Sequence, residues 1–406
     1  MSVSFKSALL GCTCFTLVST VGFSTGSAQA DPVTLPTGGA FELGGGTIAQ
    51  TANRLDILQN SSRAVMSWSD FSIGAAGEVH FQNGSGATLN RVTGAHLSQI
   101  DGRLSATGSL FLLNPNGVVI GETGRVETGA DFVASTLNAD DAAFMASGDL
   151  VLSGASGAAV VNLGQVEASA GDILLAAHEV RNSGRLTAGG DVALMATHEV
   201  TYRDLGADRR VQVRAGVSGD VINEGVIEGA SARLESVGGN IFALAGNTDG
   251  VTRAQIIARN GGRIQLAAAE IADVAGNLSA NHDGGDGGKI TVTGSRVRLR
   301  DGATVTARGV KDGGTVHIGG GWQGKDASLR NAQTTQVEQG ASINVSGTQG
   351  AGGEAVIWAD QVTVFEGEIS AKGDTVSGGG RVEVSGKQHL LFRGEVDTGG
   401  GQLLLD

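Results

Sequence analysis

The sequence predicts an all-β solenoid, and three observations carry that prediction. Glycine supplies 67 of the 406 residues without the G-X-Y triplet of collagen, and 40% hydrophobic content is too high for a disordered tract. Short alternating strands recur between turn residues along most of the chain. Pairs of glycines punctuate them at about the length of one solenoid coil, and internal repetition outranks other signals in a sequence. A sandwich or barrel is the competing class, and repetition at a coil-length period argues against it.

The first thirty residues stand apart from that pattern. Lys6 is their only charge, an apolar stretch with small residues runs from Ala8 to Phe23, and Ala28-Gln29-Ala30 before Asp31 has the A-x-A form of a cleavage site. Residues 1–30 are therefore expected to be a signal peptide. Gly11, Thr13, Thr16, Ser19, Thr20 and Gly22 interrupt the apolar stretch, which is short of the ~20 residues of a membrane span. Leu9-Leu10-Gly11-Cys12 resembles a lipoprotein cleavage box, but cutting there would leave most of the apolar stretch on the product. No later segment is apolar enough over such a length, so no transmembrane segment is expected in the mature chain. Cys12 and Cys14 are the two cysteines, so the mature chain holds none. That suits a chain threading a second membrane unfolded through an oxidising compartment, and equally a repetitive core that needs no cross-links.

Aspartate and glutamate number 41 against 28 lysines and arginines, and removing Lys6 takes the net charge from −13 to −14. Nucleic acid is not expected as a partner, because phosphate binding needs a basic face.

Six glycine pairs introduce alternating strands: Gly238-Gly239, Gly261-Gly262, Gly287-Gly288, Gly313-Gly314, Gly352-Gly353 and Gly379-Gly380. Most gaps fall between twenty-one and twenty-seven residues, one coil per repeat. A repeat holds three strands, as in Lys289-Ile-Thr-Val, Arg296-Val-Arg-Leu and Ala303-Thr-Val-Thr-Ala, with Ile290 and Val292 facing inward and Thr291 outward. Roughly sixteen coils are expected, a rod of about 75–80 Å at one strand spacing per coil.

Two features imitate sites. His178-Glu179-Val180 and His198-Glu199-Val200 look like halves of a metal motif, but Asn182 and Tyr202 stand where the second histidine belongs, so the same coil position repeated is the expectation. The run Asn281-His-Asp-Gly-Gly-Asp-Gly-Gly-Lys-Ile approaches a calcium repeat, but Lys289 occupies an acidic ligand position and one copy exists, so a turn is expected. Neither a metal nor a cofactor is expected.

Residues 31 to about 140 differ again, holding all three prolines and a dense series of motifs. These are Met66-Ser-Trp-Ser-Asp-Phe-Ser-Ile-Gly74, Val79-His-Phe81, Leu89-Asn-Arg-Val-Thr-Gly94, Ser98-Gln-Ile-Asp-Gly102, Leu110-Phe-Leu-Leu-Asn-Pro-Asn-Gly-Val118 and Ala134-Ser-Thr-Leu-Asn138. Their order and spacing resemble the secretion domain of two-partner secretion exoproteins, also called the haemagglutination activity domain, closest to the high-molecular-weight adhesin branch of the filamentous-haemagglutinin-like proteins. The later Gly319-Gly-Gly-Trp-Gln-Gly324, Ala355-Val-Ile-Trp-Ala359, Val384-Ser-Gly-Lys387 and Gln402-Leu-Leu-Leu-Asp406 look like the passenger start of such adhesins. The resemblance implies a right-handed parallel β-helix with an N-terminal cap, exported unfolded through an outer-membrane β-barrel transporter whose periplasmic POTRA domains bind this segment. It divides the chain into signal 1–30, the N-terminal part of the secretion domain 31–140, its remaining coils 141–270, and the start of a glycine-rich passenger 271–406.

Asn114-Pro115-Asn116-Gly117 matches the family's secretion motif, and the resemblance adds Asn90 and Arg91 to the residues the transporter recognises. Physically the tetrad suits a type I turn, with Pro115 fixing φ at the second position and Gly117 at the fourth, and a turn that simply lets the coil fold is the plain alternative. The Asn-Pro-Asn-Leu motif of the filamentous haemagglutinin branch is absent, since Phe81 to Leu89 leaves no room for it. Sequons occur at Asn60, Asn83, Asn277 and Asn344, a pattern that also arises by chance.

Three functions follow for comparison. An adhesin, secreted through the periplasm or held at the cell surface and binding a host or neighbouring-cell receptor through the flanks of a monomeric rod, is the leading expectation. A haem- or haemopexin-scavenging exoprotein of the same system would need projecting loops, and the stretch Thr201–Val213, with Tyr202, Asp204 and Arg209-Arg210, is the one conspicuous interruption, which a plain insertion also explains. A β-helical polysaccharide-active enzyme would need clustered acids and sugar-stacking aromatics, against one tyrosine and three tryptophans here. No catalytic residue is expected. Asp406 follows a strand with no polar cap after it, although terminal solenoid repeats normally need one.

Overall fold

Each coil is three short strands joined by tight corners, and stacking the coils turns these into three long parallel sheets. The computed structural model describes residues 33–146, 150–203, 210–214, 219–244, 254–374 and 378–406. The expected signal segment with its cleavage box lies outside the described residues. The sheets contain 14, 11 and 14 strands, and a smaller sheet has four. The coil quoted above runs Lys289–Thr293 in the first sheet, Arg296–Leu299 in the second and Thr304–Thr306 in the third. Ile290 stacks between Ile264 and Val316, and Val292 between Leu266 and Ile318. Each such side chain gains roughly 1.5–3 kcal/mol on burial, but only against the coils above and below it.

The N-terminal end is capped by two antiparallel strands. Ala40–Leu43 pairs with Arg63–Trp68, and Gly46–Gln50 with Arg54–Gln59, so the chain reverses before the parallel stack begins and the first coil offers no free edge in those two sheets. Trp68, Phe71 and Phe81 fill the core beneath, with Trp68 and Phe71 edge to face at 5.2 Å.

Glycine pairs work at the corner leading from the third sheet back to the first. A Cβ on Gly288 would fall on the carbonyl oxygen of Gly262, one on Gly314 on that of Gly288, and one on Gly353 on that of Gly314. Successive coils touch backbone to backbone there, and a side chain has no space. Gly238-Gly239 breaks the pattern, because it precedes Ile241–Ala243 in the second sheet rather than a strand of the first. A tight corner demands glycine wherever it lies, so the pair marks a corner without saying which.

Among the described residues the first sheet has thirteen parallel rungs, its fourteenth strand being the antiparallel cap, rather than the sixteen expected. Its length at one strand spacing per rung is about 58 Å. The difference lies in insertions that leave the stack at the corner between the first and second sheets, at 136–158, 197–220 and 319–333. The first two build the small antiparallel sheet from Asn138–Ala139, Leu150–Ser153, Glu199–Arg203 and Arg210–Arg214, with a helix at Asp141–Met145. The Thr201–Val213 interruption thus spans both strands of a hairpin, the first of which pairs with Leu150–Ser153 some fifty residues earlier, while Asp204 and Arg209 lie outside the described residues.

This sheet covers the outer face of the first. Val65, Leu89, Phe111, Leu113, Val133, Leu174 and Met195 point away from the main core and are buried against Leu137, Phe144, Leu150, Leu152 and Tyr202. Phe111 meets Phe144 edge to face at 5.3 Å and Tyr202 at 6.1 Å. The runs Ser109–Leu113, Ile173–Ala177 and Val192–Ala196 are apolar on both faces for this reason, since a strand covered on both sides has no polar alternate.

Candidate functional site

The tetrad occupies the same corner as a four-residue turn. It joins Ser109–Leu113 of the first sheet to Val118–Ile120 of the second. The Gly117 amide donates to the Asn114 carbonyl at 3.0 Å, closing a four-residue turn. Gly117 has φ +116°, in the left-handed region that disfavours side chains.

Asn114 is wholly buried and spends its side chain inside the fold. Its Nδ2 donates to the His96 carbonyl and to Ser98 Oγ, both at 3.0 Å, and its Oδ1 accepts from the Asn116 amide at 2.9 Å. Pro115 and Asn116 are exposed at the tip. Asn116 Nδ2 donates to the Gly94 carbonyl at 2.9 Å, and Ser156 Oγ donates to the Pro115 carbonyl at 2.6 Å. The tetrad therefore ties together three successive corners, and a partner of the folded protein could touch only Pro115 and Asn116.

An open groove of about 970 Å³ adjoins this tip, lined among others by Leu35, Asp70, His96, Leu97, Asn116 and Ser156. His96 is 84% exposed, with Nδ1 3.6 Å from Asp70 Oδ2, and the exposed Leu97 forms an apolar lip. Sequence reasoning missed Gly94, Ser156 and this groove, because they meet only when neighbouring coils stack.

Asn90 and Arg91 lie one rung earlier, opposite Leu112 and Leu113. Asn90 points into the core, where Oδ1 accepts from Trp68 Nε1 at 2.9 Å and Nδ2 donates to the Phe111 carbonyl at 3.2 Å. Arg91 points outward and grips the first insertion, donating to Asn138 Oδ1 at 2.9 Å, the Ala139 carbonyl at 2.8 Å and Asp141 Oδ1 at 2.6 Å. Neither side chain joins the tetrad. Asn90 orders the core, and Arg91 holds the small sheet's helix in place.

The rings of His178 and His198 stand 6.1 Å apart at the ends of paired strands, as a repeated coil position requires. The coils then diverge: Glu179 continues into the second sheet beside Ala159, while Glu199 turns out to pair with Arg214. In the Asn281–Ile290 turn, the His282 ring faces the Asp286 carbonyl at 3.3 Å. Among the described residues no group of three His, Cys, Asp or Glu could hold a metal ion. Of the sequons, Asn60 is exposed, whereas Asn83 is buried with Nδ2 committed to Thr88 Oγ1 and the Ser109 carbonyl.

Comparison with known proteins agrees with this architecture. Residues 33–292 match the TPS secretion domain. The crystal structure of the HMW1 secretion domain from Haemophilus influenzae covers 91% of this chain and 100% of its own at 28% identity, with a TM-score of 0.71. Two curated relatives are named heme/hemopexin-binding protein: one from Haemophilus influenzae strain Rd, 33% identical over 113 residues, and one from Haemophilus influenzae, 36% identical over 115. These alignments take in 27% and 28% of this chain and 12% of each relative. Proteins with this domain reach the cell surface through the periplasm with an outer-membrane transporter as partner. A stacked parallel β-helix matched over well more than half its length in both sequence and shape leaves one assignment: the chain belongs to the TPS secretion domain family.

Proposed function

We propose that this chain is exported as a secreted or surface-displayed adhesin, and that the corner formed by Asn114–Gly117 is where its transporter's POTRA domains engage it. The carrying observation is the exposed Pro115–Asn116 tip, braced by a fully buried Asn114 at the rim of an open groove. The turn is closed within the tetrad, by the Gly117 amide on the Asn114 carbonyl and the Asn116 amide on Asn114 Oδ1, so the tip can form locally in a chain whose coils have yet to stack. Asn90 and Arg91 contribute by positioning, through the core and through the small sheet. Residues 1–30 act as the export signal, released before Asp31, and 31–270 form the secretion domain ahead of a passenger beginning near 271. The rod acts as a monomer, without a catalytic centre, and contacts its receptor along its flanks.

A second reading, haem or haemopexin capture, is favoured by the names of the two curated relatives. One experiment separates the two. Protein collected from medium of cells co-expressing the transporter is offered host-cell monolayers, hemin-agarose and immobilised haemopexin. Retention on cells alone supports the adhesin, and retention on hemin or haemopexin without cell binding overturns it.

A further inference from the structure

The third insertion stays apart from the small sheet. Residues 319–333 cross the outer face of the first sheet as a strap, over Glu354–Ala359 and Arg381–Gly386. Trp322 stacks on the Arg381 guanidinium at 4.2 Å. Gln323, at φ +53°, donates its amide to Glu383 Oε2 at 2.7 Å. Asn331 Nδ2 donates to the Gly324 carbonyl and to Asp360 Oδ1, which also accepts from Trp358 Nε1 at 3.1 Å.

Two carboxyl groups sit beneath or beside this strap in opposite situations. Glu354 is hydrogen-bonded by His317 Nε2 at 2.8 Å and by Arg381, and these partners push its pKa down to about 2. Glu383 has no exposed surface, and among the described residues no cation is paired with it. Arg381 is committed to Glu354 and the Trp322 ring, Lys325 to Gln323 Oε1, and Arg330 to the Ala269 carbonyl. Its Oε1 lacks a hydrogen-bond partner: Ser385 is near enough to favour the charged form, but not in good hydrogen-bonding geometry. Burial pushes Glu383 up and outweighs the Gln323 amide and Ser385, which favour the charged form, while the negative charges of Asp406 and Glu354 push upward as well.

We propose that the strap 319–333 is an acid-tightened clasp, docked over the first sheet while Glu383 is neutral and released as that carboxyl ionises. Release uncovers Trp322, Trp358 and the outer faces of two strands, and it is independent of what the rod binds. The sign follows from linkage: a carboxyl whose pKa is raised in the docked state favours docking fully below its ordinary value of 4.5 and ceases to as pH rises through the raised value.

Hydrogen exchange on the secreted chain between pH 4 and 8, corrected for intrinsic rate, tests this at the Gln323 amide and its neighbours. Protection of the strap should fall by about tenfold per pH unit within the window, while Ile357 and Val384 in the core keep theirs. Glu383→Gln should flatten the profile. Should that variant not fold, Asp406→Asn should move the window to lower pH. Strap protection independent of pH in the wild type, an unchanged profile in Glu383→Gln, or a window that Asp406→Asn leaves in place would overturn the clasp.

Discussion

Replacing Val292 by Asp tests whether coil-by-coil folding outside the cell drives export. Val292 has no exposed surface and lies between Leu266 and Ile318. Losing its burial removes roughly 1.5–3 kcal/mol, and keeping a carboxyl neutral in that site at pH 7 costs roughly 4 kcal/mol more. The sum, about 6 kcal/mol, approaches the whole 5–15 kcal/mol of an ordinary domain. In a stack it falls on one interface, so coils already outside would cease to block return of the chain. Thr291 was the expected outward control, but at 5% exposure it lies in a buried outward column with His317 and Val356, so Asp there would also be penalised. Gln265, one rung earlier in the same column, is exposed, and Gln265→Asp should stay within about 0.5 kcal/mol of wild type. With the transporter co-expressed, Val292→Asp should lower the protein in the medium by at least about tenfold and leave Gln265→Asp unchanged. Equal secretion of the two would refute folding as the driving force.

Gly314→Ala places a methyl group on the Gly288 carbonyl and should lower unfolding stability by roughly 1–3 kcal/mol in urea titration. Asn114→Ala leaves buried partners unpaired and should cost roughly 2–3 kcal/mol by the same measurement. Glu354, held near 2, adds stability that is present above its ordinary 4.5 and lost as pH falls toward 2. The unfolding free energies of wild type and Glu354→Gln from urea titration should therefore differ at pH 7, by roughly 2–3 kcal/mol at most, and converge near pH 2.

Much of the stack was legible because it depends on local spacing. Glycine pairs before Lys289, Thr315, Glu354 and Arg381 mark a real corner, and the alternation Ile290, Val292 points inward as expected. What could not be read depends on contacts distant in sequence. The outward Phe111 and Leu113 gain their partners from insertions at 136–158 and 197–220, whose pairing no periodicity announces. The unbroken apolar runs were the available clue, since alternation should have placed polar residues there. At the tetrad, the turn was visible in the Pro and Gly positions, but the braces from His96, Ser98 and Ser156 were not. Asn90 stood out within its motif, but its hydrogen bonds to Trp68 and the Phe111 carbonyl in the core were not legible.

Secretion of Asn116→Lys tests the role of the tetrad most directly. The side chain is at the exposed tip and its loss removes the hydrogen bond to Gly94, worth about 1 kcal/mol, so the β-helix should still fold. Replacing Asn116 and Gly117 together by Val-Val would also strain the backbone at φ +116° and confuse folding with recognition. With the transporter co-expressed, the account predicts that Asn116→Lys remains in the periplasm and is degraded there, while the purified protein keeps a urea midpoint close to wild type. Normal amounts in the medium would contradict it and reduce the tetrad to a turn that serves only the fold.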